Sequence, residues 1–140
     1  MRFAGRVFKA GRFWAIEVPI LDVVSQGRTK KEAFEMIGDA IELLVGKRGF
    51  RVDVYPGSGQ HFEVGSADQA ALTALLLRRA RQKSGLSLAQ VAERLGSRSA
   101  NTYARYERGR AMPSVRMLSR LFAAVSSRRD LVIIESQADP

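Results

Sequence analysis

Residues 86–114 read Leu-Ser-Leu-Ala-Gln-Val-Ala-Glu-Arg-Leu-Gly, then Ser-Arg-Ser-Ala-Asn-Thr-Tyr-Ala-Arg-Tyr-Glu-Arg-Gly-Arg-Ala-Met-Pro-Ser. This spacing admits little except two short helices around a tight turn. Ser87 and Gln90 make a capping box, in which each side chain satisfies an amide that a helix start leaves free. Val91, Ala92 and Leu95 fall on one face of that helix, and Gly96 permits the turn. A second helix is predicted to start near Ser99. Its Tyr103 and Tyr106, three apart, are predicted to pack inward, with Asn101, Thr102 and Arg105 on the opposite side. Arg108-Gly109-Arg110 and Pro113-Ser114 then form a basic loop. It opens a further helix with an inward stripe of Val115, Leu118, Leu121, Phe122 and Val125.

The charge is placed to match. The 140 residues carry a formal net charge of +9. Residues 1–65 hold 10 Lys or Arg and 8 Asp or Glu, whereas residues 66–130 hold 13 and 4. Positive charge clustered on one half draws phosphate and gives salt-dependent affinity. Asn can pair with adenine, Arg with guanine, and a Thr methyl with thymine in the major groove of DNA. Candidate DNA-binding residues are therefore Arg98, Ser99, Asn101, Thr102, Arg105, Arg108 and Arg110.

Other classes are disfavoured. There is no cysteine, so no disulfide framework or thiolate metal site, and a single histidine, His61, excludes a histidine-rich one. No apolar run reaches the ~18 residues that a membrane span requires. Charge and glycine interrupt the N-terminus, which does not read as a signal peptide. A cytoplasmic chain without metal or cofactor is expected.

The N-terminal half reads as strands around one helix. Strands are predicted over 2–8 and 12–20, joined by a hairpin turn at Gly11, and over 22–25. In the second, Phe13, Ala15 and Val18 are set against Trp14 and Ile16, and Pro19 ends the strand. Thr29 and Glu32 cap a helix with one apolar stripe: Ala33, Phe34, Ile37, Ala40, Ile41, Leu44 and Val45. Gly46 suits its end, and Gly38 inside it suggests close packing on the sheet. Residues 50–55 alternate strictly as a further strand, a turn is predicted over 56–59, and residues 61–64 form a short last strand.

Catalysis would need carboxylates that converge at strand ends. Glu17, Asp22 and Asp53 are the candidates, but alternation or a turn exposes each of them to water. No enzymatic activity is expected. Trp14 is a candidate interface anchor, although a core role suits it equally.

Ser66 and Gln69 make another capping box, placing the domain boundary between residues 65 and 66. The helix beyond it directs Ala70, Ala71, Leu72, Leu75, Leu76 and Ala80 to a core and ends at Gly85. A turn is predicted over 126–130. The β-branched run 131–135 then forms an extra strand, free to pair with another chain.

These motifs carry two family resemblances. Arg-Phe-Trp-Ala-Ile-Glu-Val-Pro and Val-Val-Ser-Gln-Gly-Arg-Thr-Lys-Lys-Glu-Ala-Phe resemble HicB antitoxins, through Pro19, Gln26-Gly27, Thr29 and Glu32-Ala33. The family's proline-glycine step is replaced here by Ile20-Leu21-Asp22. Residues 75–125 resemble Xre/Cro-type helix-turn-helix proteins, through Leu86-Ser87, Val91-Ala92, Leu95-Gly96, Glu107-Arg108-Gly109 and Pro113-Ser114. Leu88 stands where that family often has glutamine, and the path from Gly96 to Glu107 is one residue longer.

Together the resemblances imply an α+β chain. A partial ribonuclease-H-like β-β-β-α-β domain (1–65) would precede an all-α helix-turn-helix domain with a β-rich tail (66–140). They imply a structural ion pair between Arg81 and Glu107. They imply an antitoxin that grips a HicA-like messenger-RNA-cleaving toxin and, as a homodimer, represses its operon at operator DNA. Trp14 is its candidate toxin contact. The rival reading is a transcriptional regulator whose N-terminal domain senses a small ligand in an apolar pocket under the sheet.

Overall fold

The computed structural model describes residues 1–126 and 129–138. It contains five strands: β1 (Arg2–Ala10), β2 (Phe13–Val18), β3 (Val23–Gly27), β4 (Asp53–Pro56) and β5 (His61–Gly65). Its five α-helices are α1 (Lys30–Val45), α2 (Gln69–Lys83), α3 (Leu88–Arg94), α4 (Asn101–Glu107) and α5 (Val115–Val125). The chain forms two compact units. The first is Met1–Gln69 joined by the C-terminal segment from Ile134, and the second is Ala70–Ile133. Among the described residues no helix is long and apolar enough to cross a membrane.

The first unit is an antiparallel sheet in the order β3-β2-β1-β5-β4. β1 sits centrally, pairing Val7 with Ile16 on one side and Phe3 with Val64 on the other. Alternation sends Phe3, Val7, Ile16, Val18, Val23, Phe62 and Val64 to one face, all buried. There α1 packs chiefly over β3 and β2, inserting Ala33, Ile37 and Ile41. Val18 thus shares the face of Ile16, as strict period two requires, and not that of Phe13. Thr29 accepts the Glu32 amide at 3.0 Å, and Gly46 closes the helix at φ 65°.

Two predicted strands are shortened by local bonding. After Val18 the chain turns through a 3-10 turn, Pro19–Leu21, and Asp22 takes φ 52°. β3 therefore starts at Val23. At the other side Glu42 accepts the Val52 amide at 3.0 Å. That amide is lost to any ladder, so β4 begins only at Asp53.

Ser66 is not a helix cap. Its hydroxyl donates to the Arg51 carbonyl at 2.7 Å and accepts the Asp68 amide at 3.1 Å, and α2 starts at Gln69. The predicted C-terminal strand is also absent: residues 131–137 have no strand pairing. A lone strand has no ladder partner, and β-branched composition does not supply one. The predicted turn over 126–130 includes Ser127 and Arg128, which lie outside the described residues.

In the second unit Ala71 to Leu77 are all buried, Thr73 and Leu77 included, so α2 shows no polar face there. α5 buries Leu118, Leu121, Phe122 and Val125. Val115 is 71% exposed, because it stands in the first turn, where nothing packs over it.

The glycines of the first unit separate into two kinds. A Cβ on Gly38 would meet only Val54, at 3.9 Å, which is ordinary contact. A Cβ on Gly27 would run into the backbone of Ala33. Gly38→Ala is expected to raise stability by about 1 kcal/mol through helix propensity alone. Gly27→Ala is expected to lower it. Urea denaturation of the two variants beside the parent checks both signs.

Candidate DNA-binding interface

The interface is built on a buried ion pair. Arg81, in the last turn of α2, reaches Glu107 at the end of α4. Its Nε donates to both carboxylate oxygens at 3.0 and 2.8 Å, and Nη2 donates to Oε1 at 2.6 Å. Nη1 donates to the Leu86 carbonyl at 2.9 Å. One guanidinium therefore joins α2, the loop before α3, and α4. The Glu107 side chain is only 6% exposed. Hydrogen bonding to Glu107, working against burial, raises the Arg81 pKa. Beside them the wholly buried Tyr103 has its hydroxyl pKa raised, first by burial and then by Glu107.

Local chemistry sets the two short helices. Ser87 accepts the Gln90 amide at 3.1 Å, and the Gln90 side chain accepts the Ser87 amide at 2.8 Å, closing the capping box. Gly96 turns the chain at φ 73°. Ser97 organises the turn ahead of α4. Its hydroxyl accepts the Ser99 amide at 3.2 Å and lies 3.0 Å from the Thr102 hydroxyl. The Ser99 hydroxyl accepts the Asn101 amide at 3.3 Å. Helix α4 therefore starts at Asn101, two residues later than the sequence suggests, because 97–100 are spent on this turn.

The exposed side of α4 carries Asn101, Thr102 and Arg105, and Arg108 continues it at the C-terminal end. Asn101, Arg105 and Arg108, at i, i+4 and i+7, line one stripe. Arg98 and Ser99 stand exposed in the turn ahead of it, and Arg110 in the loop behind. Among the described residues none of Arg98, Arg105, Arg108 and Arg110 is paired with a carboxylate. Tyr106 is half-buried, not inward like Tyr103, and the Arg105 guanidinium lies 5.4 Å from the centre of its ring. Seven residues of helix are ~10 Å long, about the width of the major groove.

The first unit holds the other candidates apart. Glu17 pairs with Arg6 at 3.1 Å. Asp53 lies on edge strand β4, three strands from β2, or roughly 14 Å by strand spacing. Asp22 is in the turn before β3. No group of three or more His, Cys, Asp or Glu is placed to hold a metal among the described residues. Trp14 is half-buried, with Lys9 Nζ 5.5 Å and Lys30 Nζ 5.9 Å from its ring. One polar assembly has no sequence signal: the buried Glu63 with Arg2 and residues 136–138, which only long-range folding brings together.

A family model described as a helix-turn-helix domain matches residues 74–131. No curated protein matches the chain. Match and geometry agree on a helix-turn-helix arrangement within the second unit, which supports DNA binding.

Arg81→Ala would strand a buried carboxylate and is expected to cost about 3–5 kcal/mol in a urea melt, the penalty typical of a broken buried pair. Arg105→Ala is expected to weaken specific DNA binding by about 1–3 kcal/mol if the arginine reads a base. A gel-shift titration at fixed salt on the DNA upstream of the gene measures it, with an unchanged affinity refuting the role.

Proposed function

We propose that the chain is an antitoxin of the HicB kind. The first unit binds a HicA-like toxin and masks its active site by steric occlusion. The second binds a palindromic operator as a homodimer and represses the operon. The observation that carries this reading is a helix-turn-helix domain joined, in one chain, to a sheet whose candidate carboxylates are dispersed. A nuclease would need Glu17, Asp22 and Asp53 to converge on a metal, and β1 and β5 lie between the strands that carry Glu17 and Asp53. This dispersal favours a binding role for the unit over a metal-dependent nuclease. The unit has a sheet with one face free of helix, which suits binding.

Dimerisation is expected from the size of α4. A single short helix touches only a few base pairs, so operator specificity requires two half-sites about one DNA turn apart. Arg98, Ser99, Asn101, Thr102, Arg105, Arg108 and Arg110 are the proposed contacts. The chain works in the cytoplasm, where operator and messenger RNA are both present, and needs no cofactor.

The rival ligand-sensing reading requires an apolar pocket beneath the sheet. That space holds Val7, Ile16, Ile37, Ile41 and Phe62, each at most 1% exposed. Phe62 also packs edge-on against Phe34, with ring centres 5.5 Å apart. The outer surface is the better candidate for a partner.

Co-expression with the small reading frame beside the gene tests the proposal. That product alone is expected to arrest growth, and the full chain to restore it and co-purify with it. A harmless product, or one that does not co-purify, refutes the antitoxin reading and leaves the DNA-binding domain unaffected.

A further inference from the structure

On the face of the sheet away from α1, Glu63 is 6% exposed although nothing in the sheet covers it. The chain's own C-terminal segment covers it. The Ser136 hydroxyl donates to Glu63 Oε2 at 2.5 Å, the Ala138 amide to the same oxygen at 3.0 Å, and the Gln137 amide to Oε1 at 3.4 Å. Arg2 completes the site. It lies 3.6 Å from Glu63, donates to the Ser136 hydroxyl and the Ala138 carbonyl at 3.1 Å each, and stacks 3.5 Å above the Tyr55 ring. Ala138 is 7% exposed, so only a small side chain fits there.

These contacts read backbone. Two amides and a carbonyl are recognised, and just one hydroxyl and one small side chain add selectivity. The approach to the site contributes nothing: Val132, Ile133 and Ile134 are 81%, 82% and 64% exposed. Among the described residues, the hydrogen bonds that hold the segment all fall on residues 136–138. With the segment away, Glu63 and Arg2 would face water on an open sheet and remain solvated. Neither state strands a buried charge, which is the condition for a contact that opens and closes readily.

We propose that Arg2 and Glu63 form a clamp for an extended peptide backbone, and that residues 136–138 are its resident latch, displaced when another extended segment takes the site. The ligand class is a strand that offers a hydroxyl residue, two successive amides and a small residue last. Burial acts to raise the Glu63 carboxyl pKa. Ser136, the Ala138 and Gln137 amides and His61 together outweigh it, so the group stays ionised and able to accept. The clamp does not depend on the identity of any toxin.

The test uses the full chain and a fluorescent synthetic peptide of residues 131–140. Ala138→Glu sets a second carboxylate against Glu63 and should expel the resident segment, and Ala138→Pro removes one donor amide as an independent route. Tethering gives the resident segment a millimolar effective concentration, so the wild-type site is mostly closed to competitors. Fluorescence anisotropy should show the peptide binding both released variants at least tenfold more tightly than wild type. Adding Glu63→Gln to either should reverse the gain. Hydrogen exchange of residues 131–138 should speed up in both variants while that of β1 and β5 is unchanged, showing release without unfolding. Equal binding to wild type and both variants, no binding to any of them, or indifference to Glu63→Gln would each overturn the clamp.

Discussion

One helix cannot cover both faces of a five-stranded sheet. In this chain α1 takes one face, and the branched and aromatic side chains of β1, β2, β3 and β5 pack beneath it there. The other face must be stabilised without a partner layer. It is made tolerable to water by pairs that lie flat on it: Arg6 with Glu17 and over Phe8, Arg2 over Tyr55 and beside Glu63. Of these, the exposed Arg6–Glu17 pair contributes little stability, whereas Glu63 is buried under residues 136–138. The value of such pairs lies in letting an open sheet remain solvated while still presenting groups that can bind another chain. The peptide clamp arises from that incomplete coverage, whereas Trp14 shares the α1 face with Ile16 and lies beside Lys30 of α1.

The second unit meets the opposite difficulty. Its helices α3 and α4 are seven residues each, too short to be stable by themselves in water. Their ends are stabilised by side chains, through the Ser87–Gln90 box and the Ser97–Ser99 turn. Their orientation is held by Arg81, whose guanidinium spans α2, the loop after it and α4. A buried charge pair is poor as a source of net stability but strict in geometry, because each group must keep its partner. That strictness suits a scaffold that must present Asn101, Arg105 and Arg108 in a fixed row. The polar strip stays free for DNA because the one carboxylate of α4 is turned inward and used.

Much of this was legible in residue order. The helix capped by Thr29, the Gly11 hairpin and the capped helix at Ser87 all rest on contacts within four residues. Local chemistry settles such features, and the resemblance to helix-turn-helix proteins through Glu107-Arg108-Gly109 and Pro113-Ser114 agrees with the family match. Boundaries read less well where a distant group competed for an amide or hydroxyl. Glu42 takes the Val52 amide and shortens β4, and Arg51 takes the Ser66 hydroxyl and moves the start of α2 to Gln69. No periodicity records those claims, since the partners are ten or more residues apart.

The C-terminal segment shows the same limit most clearly. Its β-branched run suggested a strand, yet its anchor is the pair of amides after Ser136, meeting a glutamate 75 residues earlier. By itself the sequence determined the element types, the charge asymmetry and the row of candidate DNA contacts, because these depend on neighbours along the chain. Only the tertiary structure decided which face of the sheet stays open and that Glu63 is buried by residues 136–138. Those outcomes depend on groups brought together through space, and their cost is set by the desolvation of charges that local pattern does not encode.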